Sequence, residues 1–241
     1  MKKINIYSPT YHREDIARQF VPSLLDSMSR SNYDVKAFIG DNNSPETMKN
    51  WLKSQSFDDL EVHLFDKNYG KGHVVNTMHN NARSADYVMT IDSDIICKNN
   101  DNWIDMYVDI LESEPKIGIV SARFQEGVSH SYKNLNQTLK VNGYDLIHGS
   151  VLIGGACLTM SSEMWREIGG YTSKDLYAGD DGSLMYNCIR KRFKIAAVCM
   201  STELYHLDDD PNFKIWKNDR FKKFRKKQWT LEPNTGYYEN L

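Results

Sequence analysis

The amino-acid sequence predicts an α/β fold with a mostly parallel central sheet flanked by helices. The first observation behind this is a rhythm in the N-terminal half, where short apolar runs of strand type alternate with amphipathic segments of helical period. The second is that each of four runs ends in a polar cluster: Ser8-Pro9-Thr10, Asp41-Asn42-Asn43-Ser44, Asp66-Lys67-Asn68 and Asp92-Ser93-Asp94. In open α/β sheets ligands bind outside the carboxyl ends of the strands, so four loops point polar groups at one crevice.

In order, strands are expected near 3–8, 34–40, 60–66 and 86–92, and helices near 14–30, 45–55, 71–84 and 101–113. The second half is less regular. A strand is expected near 117–123, then a long polar stretch from Gln125 to Ser150. An apolar segment, Val151 to Met160, leads into a helix near 162–168, followed by a helix near 180–192 and a strand near 194–200. Long polar stretches of this kind serve as lids or binding elements, or stay disordered.

The 241 residues suit one large domain with a short appendage, here 1–210 and 211–241. The larger part divides into two halves, about 1–95, which carries the four polar clusters, and about 96–210. With 40% hydrophobic and 26% charged residues, the composition is that of a soluble globular protein. No apolar run approaches the roughly 20 residues of a membrane-spanning helix. Met1-Lys2-Lys3 leads straight into a strand pattern, so a cytoplasmic protein is expected. The four cysteines show no Cys-x-x-Cys spacing and read as buried, reduced thiols.

An Asp-x-Asp triplet occurs easily by chance, and Asp92-Ser93-Asp94 gains weight only from the strand pattern Tyr87–Ile91 before it. Carboxylate oxygens at a strand's C-terminal end suit Mg2+ or Mn2+ bridging phosphates; the plain alternative is a solvated turn. Asp180-Asp181 follows Gly179 and opens a helical pattern. Helix-start aspartates are commonly caps, yet this pair also suits a general base and its supporting neighbour. His206, after an apolar strand, either packs or joins a site of oxygen and imidazole ligands.

Taken in order, these signals resemble the inverting GT-A glycosyltransferases of family 2. The resemblance spans about residues 3–207. It runs through Pro9-Thr10-Tyr11-His12-Arg13, Asp41-Asn42-Asn43-Ser44, Asn68-x-Gly70 with Asn76, Asp92-Ser93-Asp94, Gly154-Gly155-Ala156, Ile168-Gly169-Gly170-Tyr171, Gly179-Asp180-Asp181 and His206. It implies a GT-A fold and transfer of a sugar from a nucleoside diphosphate, a UDP-sugar in the first instance, with Mn2+ or Mg2+. Pro9, Thr10 and Arg13 would then lie beside the nucleotide, with Asp41 on the imide of a uracil-like base. Asn68, Gly70 and Asn76 would shape the neighbouring loop and helix start. Asp92 and Ser93 would lie at the ribose and the metal shell, with Asp94 and His206 as direct metal ligands. Gly154 and Gly155 would let the backbone approach donor sugar or acceptor. Asp181 would be the base, and Asp180 stands where the family usually has glutamate.

From Phe213 to Trp229 five aromatic residues interleave with eight lysines and arginines. Such a segment can dock on the core, lie on anionic lipid or contact a phosphate backbone. The acceptor is accordingly a glycan or lipid-linked glycan, or alternatively a hydroxylated base in nucleic acid, and peripheral contact with the inner face of a membrane is open. Two rivals stand beside the transferase: a nucleotidyltransferase, which would normally carry a Gly-rich triphosphate loop where Ser8-Pro9-Thr10-Tyr11 stands, and a binding module without chemistry.

Overall fold

The structure, a computed structural model, describes residues 1–97, 101–124, 137–149, 153–172, 180–191 and 194–207. Strand β1 (Lys3–Thr10) is buried on both faces, as a central parallel strand must be. Helix α1 (Glu14–Ser29) buries Ile16, Ala17, Phe20, Val21, Leu24 and Met28, one stripe at helical spacing, and places Glu14 and Asp15 at its positive end. There follow β2 (Asp34–Asp41), α2 (Glu46–Ser54), β3 (Leu60–Leu64), α3 (Lys71–Asn81), β4 (Tyr87–Ile91), β5 (Ile95–Ile96), α4 (Trp103–Ser113) and β6 (Ile117–Phe124). The remainder comprises β7 (Gln137–Val141), β8 (Tyr144–His148), β9 (Cys157–Ser161), α5 (Ser162–Ile168), α6 (Asp180–Tyr186) with a π-helical continuation (Asn187–Lys191), and β10 (Ile195–His206).

One ten-stranded sheet joins all of these strands in the order β3-β2-β1-β4-β9-β6-β10-β8-β7, with β5 paired to the end of β10. The N-terminal four strands are parallel, as the alternating pattern predicts. Beyond β4 the sheet is mixed: β9 runs antiparallel to both β4 and β6, and β10 is parallel to β6 but antiparallel to β8. Apolar layers cover both faces. One contains Ile4, Ile6, Phe20, Leu24 and Trp103; the other contains Tyr7, Phe38, Val74, Met78 and Trp165.

These directions decide what meets at the crevice. Thr10 pairs with Asp41 at the C-terminal ends of β1 and β2, and Ile91 at the end of β4 pairs with Cys157 at the start of β9. The segment before β9 therefore lies beside Asp92, whose N–H donates to the Ala156 carbonyl at 2.7 Å. At the far end of β10, His206 pairs with Ile95. The exits of β1, β2, β4 and β10 and the entry to β9 thus share one edge of the sheet.

The stretch read as loop from Gln125 to Ser150 contains the β7–β8 hairpin, which turns at Asn142-Gly143 with positive φ at both residues. Asn-Gly is the usual signal for such a turn. The flanking strands bury only Val141 and Leu146, so no apolar alternation announced them. The last strand also reaches His206 rather than 200, crossing a register irregularity between Cys199 and Glu203. All four cysteines are free and buried. Among the described residues no helix is long and apolar enough to cross a membrane. Asp208–Asp210, the segment Phe213–Trp229 and the boundary placed at residue 210 lie outside the described residues.

Candidate active site

Asp94 is the buried member of the Asp-x-Asp pair. Its side chain is 6% exposed, whereas that of Asp92 is 32% exposed. Arg13 Nη1 lies 2.8 Å from Asp94 Oδ2, and His206 Nε2 lies 3.7 Å from Asp94 Oδ1. Strand pairing sets this distance, since β5 follows directly on the triplet and the Leu207 N–H donates to the Asp94 carbonyl at 2.8 Å. The imidazole is fixed further by the Phe124 ring, edge-on at 5.6 Å.

On the other side stands Lys71, the first residue of α3. Its ammonium lies 2.8 Å from Asp92 Oδ1 and 3.3 Å from Asp181 Oδ1, and it donates to the Gly155 carbonyl at 3.1 Å. Burial alone would lower the lysine pKa, but Asp181 and Asp92 outweigh it and raise the value well above the usual one. Burial pushes the Asp92 carboxyl up to about 6; Lys71 opposes this, while Asp94 and Asp181 add to it. Below Lys71 the Tyr171 ring is centred 5.8 Å away, and its hydroxyl sits 3.0 Å from Thr90 Oγ1.

Gly155 makes room for the base candidate. A Cβ there would stand 1.8 Å from Asp181 Cγ and 2.0 and 2.2 Å from its carboxylate oxygens. The closely approaching group at this glycine is therefore Asp181 itself. The preceding Gly154 is held through its carbonyl, which accepts from Ser121 Oγ at 3.0 Å. Asp180 opens α6, and its side chain lies outside what the structure describes.

The edge formed by β1 and β2 carries unsatisfied polar atoms. Among the described residues Thr10 Oγ1, Ser8 Oγ and Asp41 Oδ1 are buried and find no hydrogen-bond partner. Asp41 is fully buried and its Oδ2 accepts the Ser44 N–H at 2.9 Å; burial raises its pKa, with the Ser44 hydrogen bonds opposing. Pro9 lies between Ser8 and Thr10, opposite Gly40 of β2. The Asn42 side chain receives the Tyr69 N–H and the Asn68 side chain the Gly70 N–H, both at 2.9 Å, which shapes the turn into α3. Ser93 is buried between the two aspartates.

Asn76 is placed differently from its neighbours. Its amide donates to the Tyr171 carbonyl at 2.7 Å and accepts the Tyr171 N–H at 3.1 Å. It clamps the segment after α5 to α3, and both halves of the amide are used in doing so.

Lys71 was missed in the sequence, although a signal was there. A lysine at the positive end of a helix with no acid in the first turn is electrostatically unfavourable unless carboxylates from elsewhere face it. Arg13 was read as a nucleotide neighbour, and its contact with Asp94 was not foreseen.

Residues 6–165 match the sequence profile described as Glycosyl transferase family 2. The chain belongs to that family. The match covers the Asp92-Ser93-Asp94 loop and stops before Asp181 and His206, so it is the fold that brings those two residues to the site. No curated protein matches the sequence.

Among solved structures the chain is similar to a mannosyltransferase, PcManGT from Pyrobaculum calidifontis, in complex with GDP-Man and Mn2+. The TM-score is 0.66 at 15% identity, covering 98% of this chain and 67% of that one. It is also similar to S. aureus TarS 1-349, with a TM-score of 0.60 at 14% identity over 98% of this chain and 68% of that one. GalNAc-T7 with UDP, GalNAc and Mn2+ gives 0.64 at 11% identity, over 86% of this chain and 43% of that one. At such identities the likeness concerns the fold, which is of the GT-A type. This family 2 chain is a glycosyltransferase, and the nucleotidyltransferase and chemistry-free readings are set aside.

Proposed function

We propose that this glycosyltransferase moves a sugar from a nucleoside-diphosphate donor, a UDP-sugar in the first instance, to an acceptor hydroxyl with inversion. The observation that carries the reading is a single ammonium, Lys71, bonded at once to Asp92 and to Asp181. A leaving-group loop and a base candidate within one lysine's reach fit a direct displacement at a carbon held between them.

Nucleotide recognition is supported by the orphaned Thr10, Ser8 and Asp41 oxygens, since buried polar atoms without partners call for ones that a ligand supplies. Asp41 Oδ1 would accept an imide N–H, which favours uracil. Two of the similar structures, S. aureus TarS 1-349 and GalNAc-T7, were solved with UDP-GlcNAc and with UDP and GalNAc respectively.

The residues present fit a divalent cation. Asp94 Oδ1 and His206 Nε2 are 3.7 Å apart, and a closure of roughly 0.7 Å would bring them to the spacing of two adjacent ligands about 2.1 Å from an octahedral ion. Among the described residues no group of three or more His, Cys, Asp and Glu side chains gathers, so the diphosphate would complete the shell. Asp94 and His206 would hold the ion, Mn2+ or Mg2+, with Asp92 supporting the shell from the ribose side; when bound, the ion supplies charge neutralisation for the leaving group. Arg13, now on Asp94, would turn to the phosphates.

In the transfer, Asp181 takes the proton of the acceptor hydroxyl. That oxygen forms its bond to the anomeric carbon as the bond to the phosphate oxygen breaks, and the electron pair leaves with the nucleoside diphosphate. General-base assistance of this kind contributes roughly 10²–10⁴-fold. For the acceptor we propose a glycan or lipid-linked hydroxyl; the basic Phe213–Trp229 run that bears on lipid or nucleic acid lies outside the described residues. A screen of nucleotide sugars by thermal shift with Mn2+, followed by release of nucleoside diphosphate from the stabilising donor, tests the reading. Stabilisation by a UDP-sugar and release that EDTA abolishes are expected; full release in metal-free buffer would remove the Asp-x-Asp role.

A further inference from the structure

Lys71 neither leaves with the diphosphate nor takes the proton, yet its bonding capacity is fully used. An ammonium has three N–H donors. Lys71 directs them at three acceptors: Asp92 Oδ1 at 2.8 Å, the Gly155 carbonyl at 3.1 Å and Asp181 Oδ1 at 3.3 Å. These acceptors come from three separate stretches: the loop after β4, the segment before β9 and the first turn of α6. The lysine side chain is 20% exposed, so little water competes for the bonds.

Asp181 depends on this arrangement. Its side chain is 38% exposed, and among the described residues the one hydrogen bond it makes is the one to Lys71. Without that bond the carboxylate is free to rotate toward solvent.

The geometry points to Lys71 as the positioning residue that holds the Asp181 carboxylate in register with the donor, fixing Oδ1 from the donor side and leaving Oδ2 to receive the acceptor proton. This rests on Asp181 being the base of an inverting transfer. The bond to Asp92 ties the base to the loop that carries the leaving group, so the two ends of the displacement are held by one cation. Arginine does not replace it, because a planar fork cannot aim at three acceptors arranged around a compact ammonium.

The test uses the full chain with its donor and Mn2+. Lys71→Met keeps the length of the stem and removes the charge; it is expected to lower kcat about 100-fold, the loss that misplacing a reacting group by about 1 Å produces, with donor KM changed less than about threefold. Lys71→Cys treated with 2-bromoethylamine restores an ammonium at similar reach and should recover at least about tenfold of the loss. Alkylated wild-type protein is the control, since the native cysteines are buried. Lys71→Gln serves if the methionine variant does not fold.

A kcat within threefold of wild type overturns the inference. So does a loss confined to donor KM, or a loss accompanied by a fallen Tm and no recovery on aminoethylation. Asp181→Asn assayed in parallel separates the two ideas. If that variant stays active, the base reading itself fails; if it is inactive while Lys71→Met is fully active, only the role of Lys71 fails.

Discussion

Gly155→Ala changes one hydrogen to a methyl group at the point where the backbone and the proposed base come closest. The new Cβ would stand 1.8 Å from Asp181 Cγ and about as close to both carboxylate oxygens, whereas ordinary van der Waals contact begins at 3.4 Å. The carboxylate must therefore retreat by roughly 1.5 Å, and a misplacement of about 1 Å at a reacting group costs on the order of 100-fold. The retreat is open to it, because the Asp181 side chain is 38% exposed and stands at the start of α6. Fold stability should stay within about 1 kcal/mol of wild type, since the clash is with the end of a movable side chain and Gly→Ala also narrows the unfolded ensemble.

The expected profile is transfer reduced at least about 100-fold, consistent with the roughly 10²–10⁴-fold that a general base contributes, with Tm nearly unchanged and affinity for the nucleotide with Mn2+ within about threefold. Nucleoside diphosphate release with acceptor present measures the first, thermal melting the second and calorimetry the third. A Gly155→Ala protein that transfers sugar at more than about a tenth of the wild-type rate would refute the placement of the base.

Asp41→Asn should weaken uridine nucleotide binding about 10- to 150-fold, the worth of a hydrogen bond to a charged group. Its effect on the free protein has the opposite sense. Burial raises the Asp41 pKa, so the folded state holds the proton more tightly than the unfolded one, and wild-type stability falls as pH rises from the ordinary carboxylate value through the raised one. The Asn variant lacks this fall, and its Tm advantage over wild type should grow across that window and then level off. His206→Ala should raise the Mn2+ concentration for half-maximal activity on the order of tenfold or more, in a metal titration of donor turnover. Asn76→Ala should cost about 1–3 kcal/mol in urea unfolding, because it strips partners from the Tyr171 backbone, while changing nucleotide affinity less than Asp41→Asn does.

How much of this was legible in the sequence follows from what kind of signal each element carried. The parallel half was readable because its strands alternate with helices and end in polar clusters. The hairpin at 137–148 was hidden because its strands bury only two residues, Val141 and Leu146, and only Asn142-Gly143 marked it. For the site, residue types named the carboxylates and His206, but their meeting depends on β9 being inserted antiparallel between β4 and β6, which no local pattern encodes. For Lys71 the unfavourable place at a helix start was a signal, but its partners were hidden for the same reason, since Asp92 and Asp181 close around it only in the fold. For Asn76 the family resemblance implied a part in shaping the helix start near the nucleotide, and the structure adds what the sequence did not show, that its amide is bonded to the Tyr171 backbone.

The central claim is a single displacement with Asp181 as base, and its most direct measurement is the anomeric configuration of the first product. Hydrolysis of an α-linked UDP-sugar in the presence of Mn2+, followed by proton NMR before mutarotation, uses water as the acceptor. The account predicts that the β-anomer appears first and that Asp181→Asn abolishes its formation. An α-anomer as the first product, or undiminished β-anomer from the Asn variant, would contradict it.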